Sequence, residues 1–147
     1  MKGIASSIVA AVCLVSMGSA IAQELPKTVT DLGLSDVQIR EKPNAKYGRR
    51  ISGTLPSGFR VEVDLNGDNA IEDVEARGNT LFPVADIQTL VPEPVLKNTA
   101  WPSDATLEKI EFERNGNIEL EGRLADGREF DAEFAADGQM LELDIDD

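Results

Sequence analysis

Histidine is missing from all 147 residues, and the single cysteine, Cys13, lies near the N-terminus. Histidine is the commonest general base, and histidine and cysteine together supply the classical zinc sites. Cys13 belongs to a segment that we expect to be removed, so the remaining chain has no thiol. Serine–histidine and cysteine–histidine nucleophiles are therefore excluded, as are thiolate metal sites, and we expect no enzymatic activity.

Positive charge is also scarce. The chain has 14 lysines and arginines against 27 acidic residues, a formal net charge of −13. This balance argues against nucleic-acid binding, which depends on basic residues that neutralise phosphates. It also disfavours anionic membrane surfaces and suits a cationic protein or peptide partner. The simpler alternative is a soluble surface whose charge keeps copies of the chain apart.

Only one long apolar run is present, within residues 4–17. Met1 and Lys2 precede it, and Ala20-Ile21-Ala22 provides a small-x-small cleavage site before Gln23, which together predict a signal peptide over residues 1–22. The run is too short for a stable membrane span, and a buried N-terminal helix is the alternative. The signal peptide predicts a periplasmic or secreted bacterial protein without a membrane anchor after cleavage.

A stretch of sequence occurs twice. Residues 51–76 align without a gap to residues 120–145, so that Gly53 matches Gly122 and Asp68 matches Asp137. In each copy apolar and polar residues alternate between glycine-containing turns. Each copy is therefore predicted to form three antiparallel strands joined by tight turns.

Adding the flanking segments extends each copy to a larger unit. Apolar spacing predicts short helices over residues 25–34 and 84–91, and strands over residues 37–41, 47–55, 59–65, 70–76, 107–113, 118–124, 128–134 and 139–145. The predicted fold class is α+β, with two tandem repeats that each contain a helix and a four-stranded antiparallel meander. The helices are expected to cover the apolar face of the sheet. The predicted boundaries are residues 23–79 and 80–147.

One turn resembles a calcium-binding loop. Its potential ligands, at EF-hand positions one, three, five, nine and twelve, are Asp64, Asn66, Asp68, Glu72 and Glu75. Gly53, Pro56 and Gly58 stand where an EF-hand needs its entering helix, and Gly78 leaves no room for the exiting one. We therefore interpret the segment as a hairpin turn and keep calcium binding as the alternative, with no other cofactor expected.

Acidic residues alternate along the outward side of the second copy. They include Glu119, Glu121, Glu129, Asp131 and Glu133, followed by Glu142 and Asp144. No pair among them can be singled out as a general acid and a general base, because carboxylates on an exposed face are expected to keep ordinary pKa values. This row is the predicted partner-binding face.

The two copies also carry a family resemblance. Gly53-Thr-Leu-Pro-Ser-Gly58 with Asn66-Gly67-Asp68, and Gly122-Arg-Leu-Ala-Asp-Gly127 with Asp137-Gly138, resemble the pattern of PepSY and PepSY-like domains. The chain departs from that pattern at Ser57, where the family has aspartate, and in its proline-broken helices. The resemblance implies tandem domains, similar in shape to β-lactamase-inhibitor proteins, outside the cytoplasm. It implies that they bind a protein or peptide and can restrain a peptidase, with no catalytic residues.

Overall fold

A computed structural model describes residues 24–43 and 48–146 of the chain. The predicted signal peptide and Tyr47, which belongs to a predicted strand, lie outside these described residues. No helix within the described ranges is long and apolar enough to cross a membrane.

Strands dominate the described chain, and its helices are short. In chain order the elements are α1 (Lys27–Thr30), β1 (Ser35–Glu41), β2 (Arg49–Thr54), β3 (Arg60–Leu65), β4 (Ile71–Ala76), β5 (Phe82–Pro83), a 3₁₀ helix (Val84–Leu90), α2 (Glu93–Leu96), β6 (Thr106–Phe112), β7 (Ile118–Arg123), β8 (Glu129–Phe134) and β9 (Met140–Ile145). The strands predicted for both copies of the repeated stretch are therefore confirmed, as β2 to β4 and β7 to β9.

All nine strands belong to one antiparallel sheet. Its order is β1-β2-β3-β4-β6-β7-β8-β9, and the two-residue strand β5 pairs with β6. The pairing of β4 with β6, which sets Val74 opposite Ile110, carries the sheet across the expected boundary at residues 79 and 80. The predicted fold class is therefore wrong, because the chain forms one continuous sheet rather than two helix-plus-meander repeats.

The predicted helices are broken by residues that end helical structure. Gly33 has a φ of +65°, and α1 stops at Thr30 after four residues. In the second segment residues 84–90 adopt the tighter 3₁₀ form, and Pro92 separates them from α2. A proline lacks the amide hydrogen that a continuing helix needs, so neither segment reaches the length of an independent helical layer.

Hydrophobic residues cover one face of this sheet, the core face. One row of paired residues crosses all eight long strands: Ile39, Ile51, Val63, Val74, Ile110, Leu120, Ala132 and Leu143. The buried residues of the three helices, among them Val29, Ile87 and Val95, belong to the same core cluster. Trp101 closes this core beside Phe134, with ring centroids 5.8 Å apart.

Candidate functional site: the open face of the sheet

The other face of the sheet, which we call the open face, is built almost entirely from charged side chains. Successive residues of a strand point to opposite faces, so every second residue lies on the open face. The helices do not cover this face, because their buried residues belong to the core cluster on the opposite side. Two rows of paired residues cross it. The first is Arg40, Arg50, Asp64, Asp73, Glu111, Glu119, Glu133 and Glu142, and the second is Gln38, Ser52, Glu62, Glu75, Lys109, Glu121, Asp131 and Asp144.

On the β1 to β4 half of the open face the chain supplies its own counter-charges. Arg50 Nε lies 2.7 Å from Glu62 Oε1 and 2.8 Å from Asp64 Oδ1. Lys42 also contacts Asp64, at 3.3 Å, and Arg77 contacts Glu62. Burial raises the pKa of Asp64, but the hydrogen bond from Arg50 and the charge of Lys42 outweigh it, so the pKa lies below its ordinary value. These carboxylates are satisfied within the molecule.

The β7 to β9 half of the open face is different, and we call it the acidic end. Its six residues in the two rows are all carboxylates: Glu119, Glu121, Asp131, Glu133, Glu142 and Asp144. The nearest cation in the rows is Lys109 on β6, whose Nζ is held 2.6 Å from Glu111. The negative charge of the acidic end therefore has little compensation from within the rows.

Three of these carboxylates stand close together. Single side-chain oxygens of Glu119, Glu121 and Asp131 all lie within 4.8 Å of one another. Burial raises the pKa of Glu119 and of Glu121, and the neighbouring carboxylates, Glu111 for the first and Asp131 for the second, raise it further. Like charges at such distances disfavour the ionised form, so a cation placed among the three would relieve their repulsion.

The remaining residues of the predicted partner-binding face have partners of their own. Glu129 lies on the same side of β8 as Asp131 but forms an ion pair with Arg123, 2.5 Å away. Glu133 accepts a hydrogen bond of 2.7 Å from the side-chain amide of Asn117. Glu129 and Asp131 also line a shallow depression at the edge of the acidic end. The structure thus gathers all five predicted residues on one side of the sheet but leaves the trio of Glu119, Glu121 and Asp131 the most available.

The residues of the calcium-like loop form a β-hairpin. The side-chain oxygen of Asn66 accepts hydrogen bonds from the backbone amides of Asp68 and Ala70, at 2.9 and 3.0 Å. Asn69 adopts a left-handed backbone with a φ of +62°, and its side chain accepts a hydrogen bond from Arg49. Asn66 therefore shapes the turn itself.

The carboxylates of this loop are spread along the two strands. Asp64 and Glu72 both contact Lys42, whose Nζ lies 3.1 Å from Glu72, so a side chain of the protein stands between them. Glu75 pairs across the sheet with Glu62, in the other row from Asp64. The structure brings Asp64 and Glu72 together and leaves Glu75 apart, because the flanking segments are strands rather than helices.

Several members of the open face do not stand out in the sequence. The pairing of β4 with β6 brings Asp73, Glu111 and Lys109 into the rows, and no local sequence pattern predicts this pairing. Arg50 stands out in the sequence only as half of an Arg49-Arg50 pair. The signal that could have found these residues is the alternation of charge within each predicted strand, combined with the strand order.

The ionised form of Asp73, on the open face, is destabilised by its surroundings. Burial, together with Asp64 on the neighbouring strand, raises its pKa from an ordinary 3.8 to about 6. The folded chain therefore binds more protons than the unfolded chain between these two values, and this residue's contribution to stability falls as the pH rises through that window. We expect Asp73→Asn to raise the free energy of unfolding at pH 7 by about 1 kcal/mol, after discounting for partial exposure.

Urea unfolding of the Asp73→Asn variant and the parent chain at pH 7 and at pH 4 measures this effect. The difference between the two proteins should shrink at pH 4, where the parent Asp73 is largely protonated in the folded state. Asp126→Asn is the control of opposite sign, because the hydrogen bond from the backbone amide of Arg128 lowers the pKa of Asp126. If Asp73→Asn destabilises the chain at pH 7, the assigned penalty is incorrect.

The chain matches no family model, no curated protein and no solved structure. The functional interpretation therefore rests on the residues and their geometry.

Proposed function

We propose that this protein is a non-catalytic binding module of the extracytoplasmic space that takes a cationic segment of another protein or peptide on its acidic end. The observation that carries the proposal is the contrast between the two halves of the open face. Arg50, Lys42 and Arg77 form ion pairs with Glu62 and Asp64 in one half. The other half has no such set of cations in its rows, so a partner's lysine or arginine side chains would supply what is missing.

The trio of Glu119, Glu121 and Asp131 is the centre of the proposed surface. An ammonium or guanidinium group between oxygens that lie within 4.8 Å of one another can contact more than one carboxylate at once. Burial and, after it, the neighbouring carboxylates raise the pKa values of Glu119 and Glu121, so the ionised trio is destabilised by desolvation and by mutual repulsion. Part of the binding free energy would come from removing this repulsion.

A binding role is also consistent with the scarcity of side chains that commonly serve as catalytic bases and nucleophiles. It has no histidine, and its one cysteine lies in the predicted signal peptide. The resemblance to PepSY-like domains suggests an exported enzyme, such as a peptidase, as the partner. Inhibition rests on that resemblance alone, so binding is what we propose. We do not propose calcium binding at the hairpin, because Lys42 already bridges Asp64 and Glu72.

Affinity capture with matched baits tests the proposal. The first bait is the parent chain, the second carries Glu121→Gln with Asp131→Asn, and the third carries Glu93→Gln with Asp104→Asn, away from the sheet. The second and third baits change the net charge equally. A partner of the acidic end should bind the second bait about tenfold or more weakly than the parent, and the third nearly as well.

Salt provides the second arm of this experiment. Binding through partly exposed charges should weaken as the ionic strength rises, since the Debye length falls from about 10 Å at 0.1 M to about 3 Å at 1 M. A partner that binds all three baits equally, or that is indifferent to salt, would contradict an acidic-end mechanism.

A further inference from the structure

The two edges of the sheet expose apolar side chains that the rest of the structure buries. Six large hydrophobic residues are exposed within the described ranges, and five lie on the edge strands β1 and β9: Val37, Ile39, Met140, Leu141 and Leu143. Ile39 and Leu143 end the apolar row of the core face and are 36% and 44% exposed, whereas Ile51 next to Ile39 is fully buried. The apolar row thus ends at both edges with a partly exposed side chain, because no further strand covers it.

The backbone at both edges is ready to pair. The amide of Lys42 donates to the carbonyl of Gly48, and the amide of Asp146 donates to the carbonyl of Glu129, each at 3.1 Å. Because hydrogen bonding alternates from residue to residue in an antiparallel ladder, the backbone groups of Ile39 and Leu143 point away from the sheet. No described strand lies beyond either edge. Among the described residues, each edge therefore presents an unpaired backbone donor and acceptor at an exposed apolar position.

The two edges are complementary in charge as well. On the open face β1 carries Gln38 and Arg40, whereas β9 carries Glu142 and Asp144. Strand directions alternate through the eight long strands, so β1 and β9 run in opposite directions. A second copy in the same orientation can therefore place its β1 antiparallel to β9 of the first.

From this match we infer that β1 of one chain adds to β9 of a second copy and continues the sheet from molecule to molecule. Ile39 then faces Leu143, with both sets of backbone groups directed across the contact. The same register sets Arg40 opposite Glu142 and Gln38 opposite Asp144. The apolar row and both rows of the open face continue without a break, and the pairing does not require the cationic partner proposed above.

Pairing of two β9 strands is disfavoured by the same residues. With Leu143 opposite Leu143, Glu142 of one copy would face Asp144 of the other, and like charges directly opposite each other destabilise a sheet. The favoured contact is head-to-tail. Such contacts lead to a closed ring or to a growing filament, according to the rotation between neighbours.

Edge prolines test this contact. Ile39→Pro and Leu143→Pro each remove an amide that points away from the sheet, so neither breaks a hydrogen bond within the chain. By sedimentation velocity over a concentration series, the parent chain should form species larger than a dimer. Each proline variant alone should remain a monomer. An equimolar mixture should give a dimer and nothing larger, because Ile39→Pro keeps β9 free and Leu143→Pro keeps β1 free.

Charge exchange provides a second test that does not depend on proline. Arg40→Glu or Glu142→Arg alone should weaken association about tenfold or more, because each places two like charges opposite each other. The two changes in one chain should restore association, since opposite charges then face each other across the contact again. Circular dichroism confirms that each variant is folded. A parent chain that stays monomeric, a proline variant that associates by itself, or a mixture that does not pair would overturn the proposal.

Discussion

Replacing Gly122 with alanine will lower the free energy of unfolding by about 3 kcal/mol, the upper part of the range for overpacked sites. A Cβ at this position would lie 2.2 Å from the carbonyl oxygen of Thr106 and 2.9 Å from the Cα of Leu107. Both atoms belong to the backbone of β6, where the ladder is already irregular between Leu107 and Lys109. The new methyl group can be accommodated only by moving β6 away from β7.

Gly53, which occupies the equivalent position in the first copy of the repeated stretch, is the matched control. A Cβ there would approach side-chain atoms of Leu34, at 3.0 and 3.2 Å, and the nearest backbone oxygen at 3.3 Å. Because these contacts need to give by only a few tenths of an ångström, whereas a Cβ at Gly122 meets the β6 backbone at 2.2 Å, we expect Gly53→Ala to cost about 1 kcal/mol. Urea unfolding of both variants measures the difference, and equal losses would show that the close contact of β6 with Gly122 is incorrect.

The second large effect is expected in the core. Phe134→Ala will lower the free energy of unfolding by about 4 kcal/mol, because it leaves a cavity where a fully buried ring now stands. The ring packs edge-on against Trp101, the only tryptophan, with an angle of 60° between the planes. Near-ultraviolet circular dichroism should lose intensity as the surroundings of Trp101 become less ordered.

Phe59→Ala serves as the control for this variant. Phe59 precedes β3 and is 36% exposed, so its removal should cost about 1 kcal/mol or less. Unfolding should be followed by far-ultraviolet circular dichroism, since Phe134→Ala alters the fluorescence of the neighbouring tryptophan directly. A loss for Phe134→Ala no larger than that for Phe59→Ala would contradict the position of Phe134 in the core.

The strands could be predicted from the sequence because their signals are local. Alternation of apolar and charged residues, as in residues 60–65 and 129–134, reports which face each side chain occupies. Turn signals served equally well, and Gly58 and Gly127 indeed adopt φ values of +92° and +90°. Both kinds of signal need only a few consecutive residues.

The single sheet and the exact lengths of the short helices could not be predicted in the same way. The pairing of β4 with β6 joins residues separated by a loop, four prolines and two short helices, and no local pattern specifies it. The apolar spacing typical of a helix continues beyond the residues that are helical, so this periodicity overestimates the lengths of the helices. Gly33 and Pro92 decide where the helices end.

The candidate site was predicted only in part for the same reason. The row of acidic residues on β7 and β8 follows from alternation, and the structure places it as expected. The contrast with the other half of the open face depends on Arg50, Lys42 and Arg77, which reach their carboxylates across strands and turns. Which carboxylates remain uncompensated is therefore a property of the fold.

Titration of the isotope-labelled chain with a lysine-rich peptide, followed by nuclear magnetic resonance, tests the acidic end most directly. A peptide with glutamine in place of lysine serves as the control. We expect the lysine peptide, but not the control, to shift the amide signals of β7 and β8 around Glu119, Glu121 and Asp131. Shifts confined to the helices or to the turn at residues 66–69, or equal shifts with both peptides, would contradict this expectation.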